Sequence, residues 1–201
     1  MLKGEPGQRE DMEFQAVKGT RDFYPEQMRL RNWIIETWRK VSVRNGFAEY
    51  DAPIFEYLDL FTIKSGQEIA EQLFSFTDRG GRNLAIRPEI TPSLARMVNA
   101  KINSLPRPIK WFSVPRLCRA ENPQRGRLRE FFQWNIDIIG SDDVLADAEC
   151  IFVCVDFLRE AGLTPDDVQV RFGSRPLLTE ILRSLGLPDK NLAAALVDQA
   201  N

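Results

Sequence analysis

The chain has 201 residues, 43% of them apolar and 28% charged, with a net charge of −2, which gives enough apolar material for one domain and the start of a second and excludes general disorder. No apolar run reaches the roughly 18 residues that cross a bilayer, and residues 1–16 hold no signal-peptide core, so a cytoplasmic protein with no membrane partner is expected. Histidine is absent and Cys118, Cys150 and Cys154 have too few partners for a zinc site, so no metal or ligand is expected on cysteine or histidine, and chemistry must rest on Arg, Lys, carboxylates, amides and hydroxyls.

Residues 1–14 are charged and aperiodic, and read as a flexible tail; 15–201 read as one domain. After the turn-rich run Val17 to Pro25, apolar residues at helical spacing predict a long amphipathic helix over Glu26–Asn45, ended by Asn45-Gly46. Phe47–Tyr50 reads as a short strand stopped by Pro53, and Ile54–Phe61 and Ile69–Gln72 as short helical pieces. Asp78-Arg79-Gly80-Gly81-Arg82 is a hairpin signal between Leu73–Thr77 and Leu84–Ile86. Helical spacing returns over Thr91–Asn103, and Ile109–Val114 is a strand. Arg116–Ala120 continues in extended form, with Phe131–Ile139 as its antiparallel partner across the polar loop Glu121–Glu130. Helices follow over Asp147–Ala161 and Arg175–Leu185, with a strand at Val168–Phe172 between them and a further helical pattern at Leu192–Val197. Hairpin-linked strands separated by helices predict an α+β fold, an antiparallel sheet with flanking helices.

Charge is unevenly placed. Between Arg107 and Glu130 seven basic residues face two acidic ones, a net of +5 in a chain that is acidic elsewhere. Arginine presents a planar fork of donors matched to phosphate oxygens, so the cluster points to a polyanionic ligand. Within it, Arg119 leaves one strand, and Gly126-Arg127-Leu128-Arg129-Glu130-Phe131 enters the next. Such a hairpin can set arginines against phosphates and a flat aromatic face against a base, although an exposed hairpin with solvated charges has the same composition.

The run Arg119 to Gln133 resembles motif 2 of class II aminoacyl-tRNA synthetases, with Cys118 where an aromatic residue is usual. The helix Glu26–Asn45 with the strand up to Pro53 resembles motif 1, the dimer-forming element. Four runs in order resemble the histidyl-tRNA synthetase family in particular: Lys18-Gly19-Thr20-Arg21-Asp22-Phe23-Tyr24-Pro25, Leu84 to Thr91, Arg119 to Gln133, and Gln133 to Gly140. The resemblance covers residues 14–188 and implies ATP-dependent activation of histidine and its transfer to tRNA(His), with Mg2+ accompanying ATP and a homodimer formed through Glu26–Pro53.

By that resemblance Glu89, Thr91 and Gln133 hold the α-amino group of histidine and Asp137, where glutamate is frequent, receives an imidazole N–H. Arg119 is the implied catalytic residue at the α-phosphate of ATP, where charge builds as the carboxylate attacks. Glu121 faces the adenine amino group, Phe131 stacks on adenine, and Arg127 with Arg129 reaches the outer phosphates. Asn122, Gln124 and Arg125 approach the tRNA acceptor end. Motif 3, the family's second histidine-specific arginine run and an anticodon-binding domain do not occur in these 201 residues, so a truncated class II catalytic domain that is inactive alone is expected. Two alternatives stand beside this reading: the synthetase-like regulatory subunit of ATP phosphoribosyltransferase, and another class II synthetase. The intact Asn122 to Arg127 loop speaks against the first, and the Arg87-Pro88-Glu89-x-Thr91 run with Gln133-x-x-x-Asp137 against the second.

Overall fold

The structure is a computed structural model that describes residues 15–65 and 72–184. In chain order the elements are α1 (Pro25–Arg44), β1 (Ala48–Glu49), β2 (Phe55–Tyr57), α2 (Leu58–Ser65), β3 (Ser75–Thr77), β4 (Asn83–Ile86), α3 (Thr91–Ala100), β5 (Ile109–Ser113), β6 (Arg116–Cys118), β7 (Glu130–Phe132), β8 (Asn135–Ile139), α4 (Val144–Glu160) and α5 (Arg175–Ser184). The chain divides into two compact units at Gly162. The second contains α5, and the first carries every residue of the candidate site.

Pro25 opens α1 with a pre-set φ, Glu26 and Arg44 complement its dipole at either end, and Gly46 takes the left-handed conformation (φ +82°) that ends it. Its inner face enters an apolar cluster of Val41, Phe47, Phe112 and Val153, flanked by Trp134 and Phe157. Trp38 stacks on Trp134 with centroids 5.8 Å apart, and the Trp134 indole N–H donates to Ser42 Oγ at 3.0 Å. Trp38 thus packs against Trp134 and Phe157 within the chain. At the rim, Arg44 donates to both oxygens of Asp156 at 2.7 and 2.8 Å and to Glu160 at 2.5 Å, Lys40 reaches Glu160 at 2.6 Å, and α1 is thereby bound to α4.

The sheet under these helices has the order β1-β5-β8, antiparallel between β5 and β8 but parallel between β1 and β5. It is thus mixed, because the chain crosses over between β1 and β5 through the β2–β4 segment and α3. A second apolar cluster, Tyr50, Ile90, Leu94, Val98 and Ile109, joins this sheet to α3. The order β2-β4-β3 forms a separate antiparallel sheet, and β6 and β7 form a two-stranded hairpin.

Several sequence expectations are corrected. Residues 55–57 form a strand, and the helix expected over Ile54–Phe61 begins at Leu58. In Phe55-Glu56-Tyr57 the middle residue turns to α3, where Glu56 accepts from Ser93 Oγ at 3.1 Å and Arg96 at 2.5 Å; three alternating residues are too few to show this in sequence. Phe131–Ile139 is not one strand: it breaks at Gln133-Trp134, so that β7 pairs with β6 while β8 pairs with β5. Val168–Phe172 is irregular, with no ladder partner among the described residues, and β-propensity alone does not make a strand. The expected tail 1–14, residues 69–71 of the helical piece expected up to Gln72, and Leu192–Val197 lie outside the described residues.

Candidate active site

The β6–β7 hairpin pairs Leu117 with Phe131 and Arg116 with Phe132, and the Arg119 amide donates to the Arg129 carbonyl at 2.8 Å where the strands enter the loop. Alternation sends Arg119 and Phe131 from one face, and the Arg119 guanidinium lies 5.0 Å from the Phe131 ring centroid. Arg119 Nε also donates to the Pro88 carbonyl at 3.2 Å, immediately before Glu89. The Cys118 amide donates to the Arg87 carbonyl at 3.0 Å, so the Arg87–Thr91 segment runs alongside β6. Burial pushes the Cys118 thiol up, and it packs there as a neutral group.

Arg87 makes this junction rigid. Only 4% exposed, it donates to the Ala52 carbonyl at 2.6 Å, to Asp51 Oδ1 at 2.7 Å and to the Arg116 carbonyl at 3.1 Å. Sequence reading placed Arg87 in the right segment but gave it no role, since its partners are remote in the chain. Glu89 is half-buried and Thr91 is exposed at the start of α3.

In the loop, Glu121 forms an ion pair with Arg127, and Gln124 and Arg127 exchange backbone bonds of 3.0 and 2.9 Å around Gly126 at φ +80°. Asn122, Gln124 and Arg125 are exposed there. Arg129 is half-buried and turned to carbonyls, with Nε on Glu121 O at 3.0 Å and Nη1 on Lys18 O at 3.4 Å. Arg119, Arg127 and Phe131 share the lining of a groove of about 920 Å³ between the hairpin, α1 and the Arg21–Phe23 segment.

Asp137 lies on β8 opposite Trp111, and Gln133 precedes that strand with its amide on the Pro115 carbonyl at 3.3 Å. The Asp137 Oδ2 atom is buried with no hydrogen-bond partner, and so is the Tyr50 hydroxyl. Burial raises the Asp137 carboxyl above the usual range, and the nearby Tyr50 hydroxyl only partly opposes this. Tyr50 ionisation is in turn pushed up by burial and by the Asp137 charge. The two groups face each other without closing a bond of normal geometry, which leaves a buried acceptor beside a buried hydroxyl. Tyr50 was not expected from sequence; only the parallel β1–β5 pairing brings the residue after β1 next to β8.

The profile of the family described as Histidyl-tRNA synthetase matches residues 19–200. The chain belongs to this family. It is 48% identical over 183 residues to histidine–tRNA ligase of Opitutus terrae, covering 91% of this chain and 42% of that protein. It is also 48% identical over 172 residues to the chloroplastic/mitochondrial histidine–tRNA ligase of Arabidopsis thaliana, covering 86% and 35%. Among solved structures, an ATP phosphoribosyltransferase regulatory subunit/histidyl-tRNA synthetase from Bacillus halodurans superposes with a TM-score of 0.67 at 26% identity over 77% of this chain and 40% of that one. The chain therefore spans less than half the length of these relatives. No helix among its described residues is long and apolar enough to cross a membrane.

Proposed function

We propose that the polypeptide carrying this chain is a histidine–tRNA ligase, which condenses histidine with ATP to histidyl-adenylate with release of pyrophosphate and passes the histidyl group to tRNA(His) with release of AMP. The observation that carries the reading is Asp137: a buried, unpartnered acceptor in a family member is a place for a ligand N–H, and an imidazole supplies one. Glu89, Thr91 and Gln133 hold the α-amino group, a cation that a carboxylate and neutral acceptors suit. Arg119, fixed by the Pro88 carbonyl and by Phe131, meets the α-phosphate and stabilises the charge that develops there.

Phe131 stacks on adenine, Glu121 accepts from its amino group, and Arg127 moves to the outer phosphates, while Arg129 stays turned to the Glu121 and Lys18 carbonyls. This requires the Glu121–Arg127 pair to open, which costs little because Arg127 is 56% exposed and such pairs are worth about 0–1 kcal/mol. Among the described residues no cluster of three or more His, Cys, Asp or Glu side chains gathers for a metal ion. Mg2+ would accompany the ATP phosphates. Asn122, Gln124 and Arg125 face the acceptor end of tRNA, with arginine contributing affinity rather than sequence readout. A second copy is the proposed partner across α1, where Tyr24, Leu30, Trp33 and Val43 are exposed, and sedimentation of the full-length protein at micromolar concentration reads this directly.

The deciding experiment is histidine-dependent ATP–pyrophosphate exchange by the full-length gene product. Exchange is expected with histidine and not with proline or threonine, and Arg119→Ala should lower its rate by about 10² to 10³. Histidine binding without exchange would instead favour the regulatory subunit, whose name the Bacillus halodurans structure also bears. An Arg119→Ala enzyme with wild-type exchange would remove the chemical role assigned to the hairpin.

A further inference from the structure

The Lys18-Gly19 turn closes on the stem of the arginine loop through contacts that the proposed reaction does not use. The Arg129 amide donates to the Gly19 carbonyl at 2.8 Å, Nη1 reaches the Lys18 carbonyl at 3.4 Å, and Nε donates to the Glu121 carbonyl at 3.0 Å. On its other side the Arg129 carbonyl accepts the Arg119 amide. Gly19 stands at φ +87°, and a Cβ there would lie 2.9 Å from Arg129 Cγ and 3.1 Å from Pro123 Cβ. A side chain at residue 19 would therefore be strained in its backbone, would collide with the Arg129 stem and would crowd Pro123.

We propose that Arg129 is a positioning residue which, with Gly19, clasps residues 119–129 into the shape that presents Glu121 and Arg127 to ATP. The fork of a guanidinium can hold two carbonyls from different chain segments at once, whereas an ammonium is a single point of charge. To reach a phosphate Arg129 would have to abandon both carbonyls. Without the clasp, the stem is held by the Arg119–Arg129 backbone bond and by the Ala120 amide on the Gln72 carbonyl at 2.9 Å, and above them the Glu121–Arg127 pair and the Gln124–Arg127 turn shape the loop. The clasp is a structural claim, while its consequence for ATP rests on the function proposed above.

Gly19→Ala, Arg129→Lys and the double variant of the full-length protein test this. Gly19→Ala changes no charge and touches no substrate, and Arg129→Lys keeps the charge but not the fork. Each is expected to speed hydrogen exchange at the Arg127 and Arg129 amides by about tenfold, while amides of α1 and β5 keep wild-type protection. In pyrophosphate exchange each should raise KM for ATP by about five- to tenfold with kcat within about twofold, and the double variant should be no worse than the poorer single one. Wild-type loop exchange and wild-type KM in Gly19→Ala would overturn the proposal, as would an Arg129→Lys enzyme with wild-type KM. If Gly19→Ala fails to fold, Arg129→Lys decides by the same readings. Should the wild type show no histidine-dependent exchange, the assigned function falls, and the amide measurements alone support or refute the clasp.

Discussion

Asp137→Asn separates the two effects of a buried carboxyl whose Oδ2 atom closes no hydrogen bond and is approached by the Tyr50 hydroxyl. In the folded chain burial holds the Asp137 carboxyl above its ordinary value, so the native state binds that proton more tightly than the unfolded state does. Its contribution to stability is therefore fullest below the unfolded value near 3.8 and is lost as pH rises through the folded value. Asparagine is nearly isosteric and cannot ionise, so it removes this loss while leaving one unsatisfied acceptor. A buried unsatisfied group costs about 1–3 kcal/mol and a charged one more, so the variant should be more stable at pH 7 by about 1 kcal/mol. In a domain of this size that is about 2–4 °C in Tm. The gain should shrink to nothing by pH 4. For the ligand the sign reverses: a hydrogen bond to a charged acceptor is worth about 1.5–3 kcal/mol and one to the neutral amide oxygen about 0.5–1.5 kcal/mol, so histidine should bind about 5- to 10-fold more weakly. Thermal melts across pH 4–8 and calorimetric titration of histidine measure the two halves on one pair of proteins. A variant that is less stable at pH 7, or that binds histidine as wild type does, would refute the assignment of Asp137 as a vacant acceptor.

The charged rim between α1 and α4 should respond to acid in the opposite sense. Arg44 holds Asp156 below its ordinary value, and Lys40 with Arg44 does the same for Glu160, so their contribution is present above the unfolded values and is lost as pH falls through the lower folded ones. Fluorescence of the Trp38–Trp134 pair should report loosening below about pH 4, and a spectrum constant to pH 2 would contradict it. Arg87→Ala should cost about 2–4 kcal/mol in urea unfolding, chiefly from the orphaned Ala52 and Arg116 carbonyls, because the exposed Asp51 can rehydrate. A loss under about 0.5 kcal/mol would show that these carbonyls find other donors.

What was legible in the sequence is what local pattern determines. The Glu26 to Asn45 periodicity, the two-glycine hairpin and the arginine-rich loop each appear close to where they were expected. What was not legible depends on partners distant in the chain. The strand at Phe55–Tyr57 is defined by β4 and by Glu56 facing α3, and the break at Gln133-Trp134 by the choice of two different strand neighbours. In the site, residue types announced Arg119, Arg127 and Phe131 as a group, and the structure places them along one groove. Tyr50 beside Asp137 and the hub at Arg87 required the parallel β1–β5 pairing and the crossing of segments, which no spacing encodes.

The two halves of the site are hung on different frames. Asp137 is indexed by five consecutive pairings of β8 with β5, whereas the arginine loop hangs from the separate β6–β7 hairpin. Lengthening or shortening residues 122–128 therefore leaves the register of Asp137 untouched, while a one-residue slip of β8 would swing Asp137 to the opposite face of its sheet and bring an isoleucine into its place. The loop can thus change in length without moving Asp137, so it can be remodelled by insertion rather than by redesigning the core.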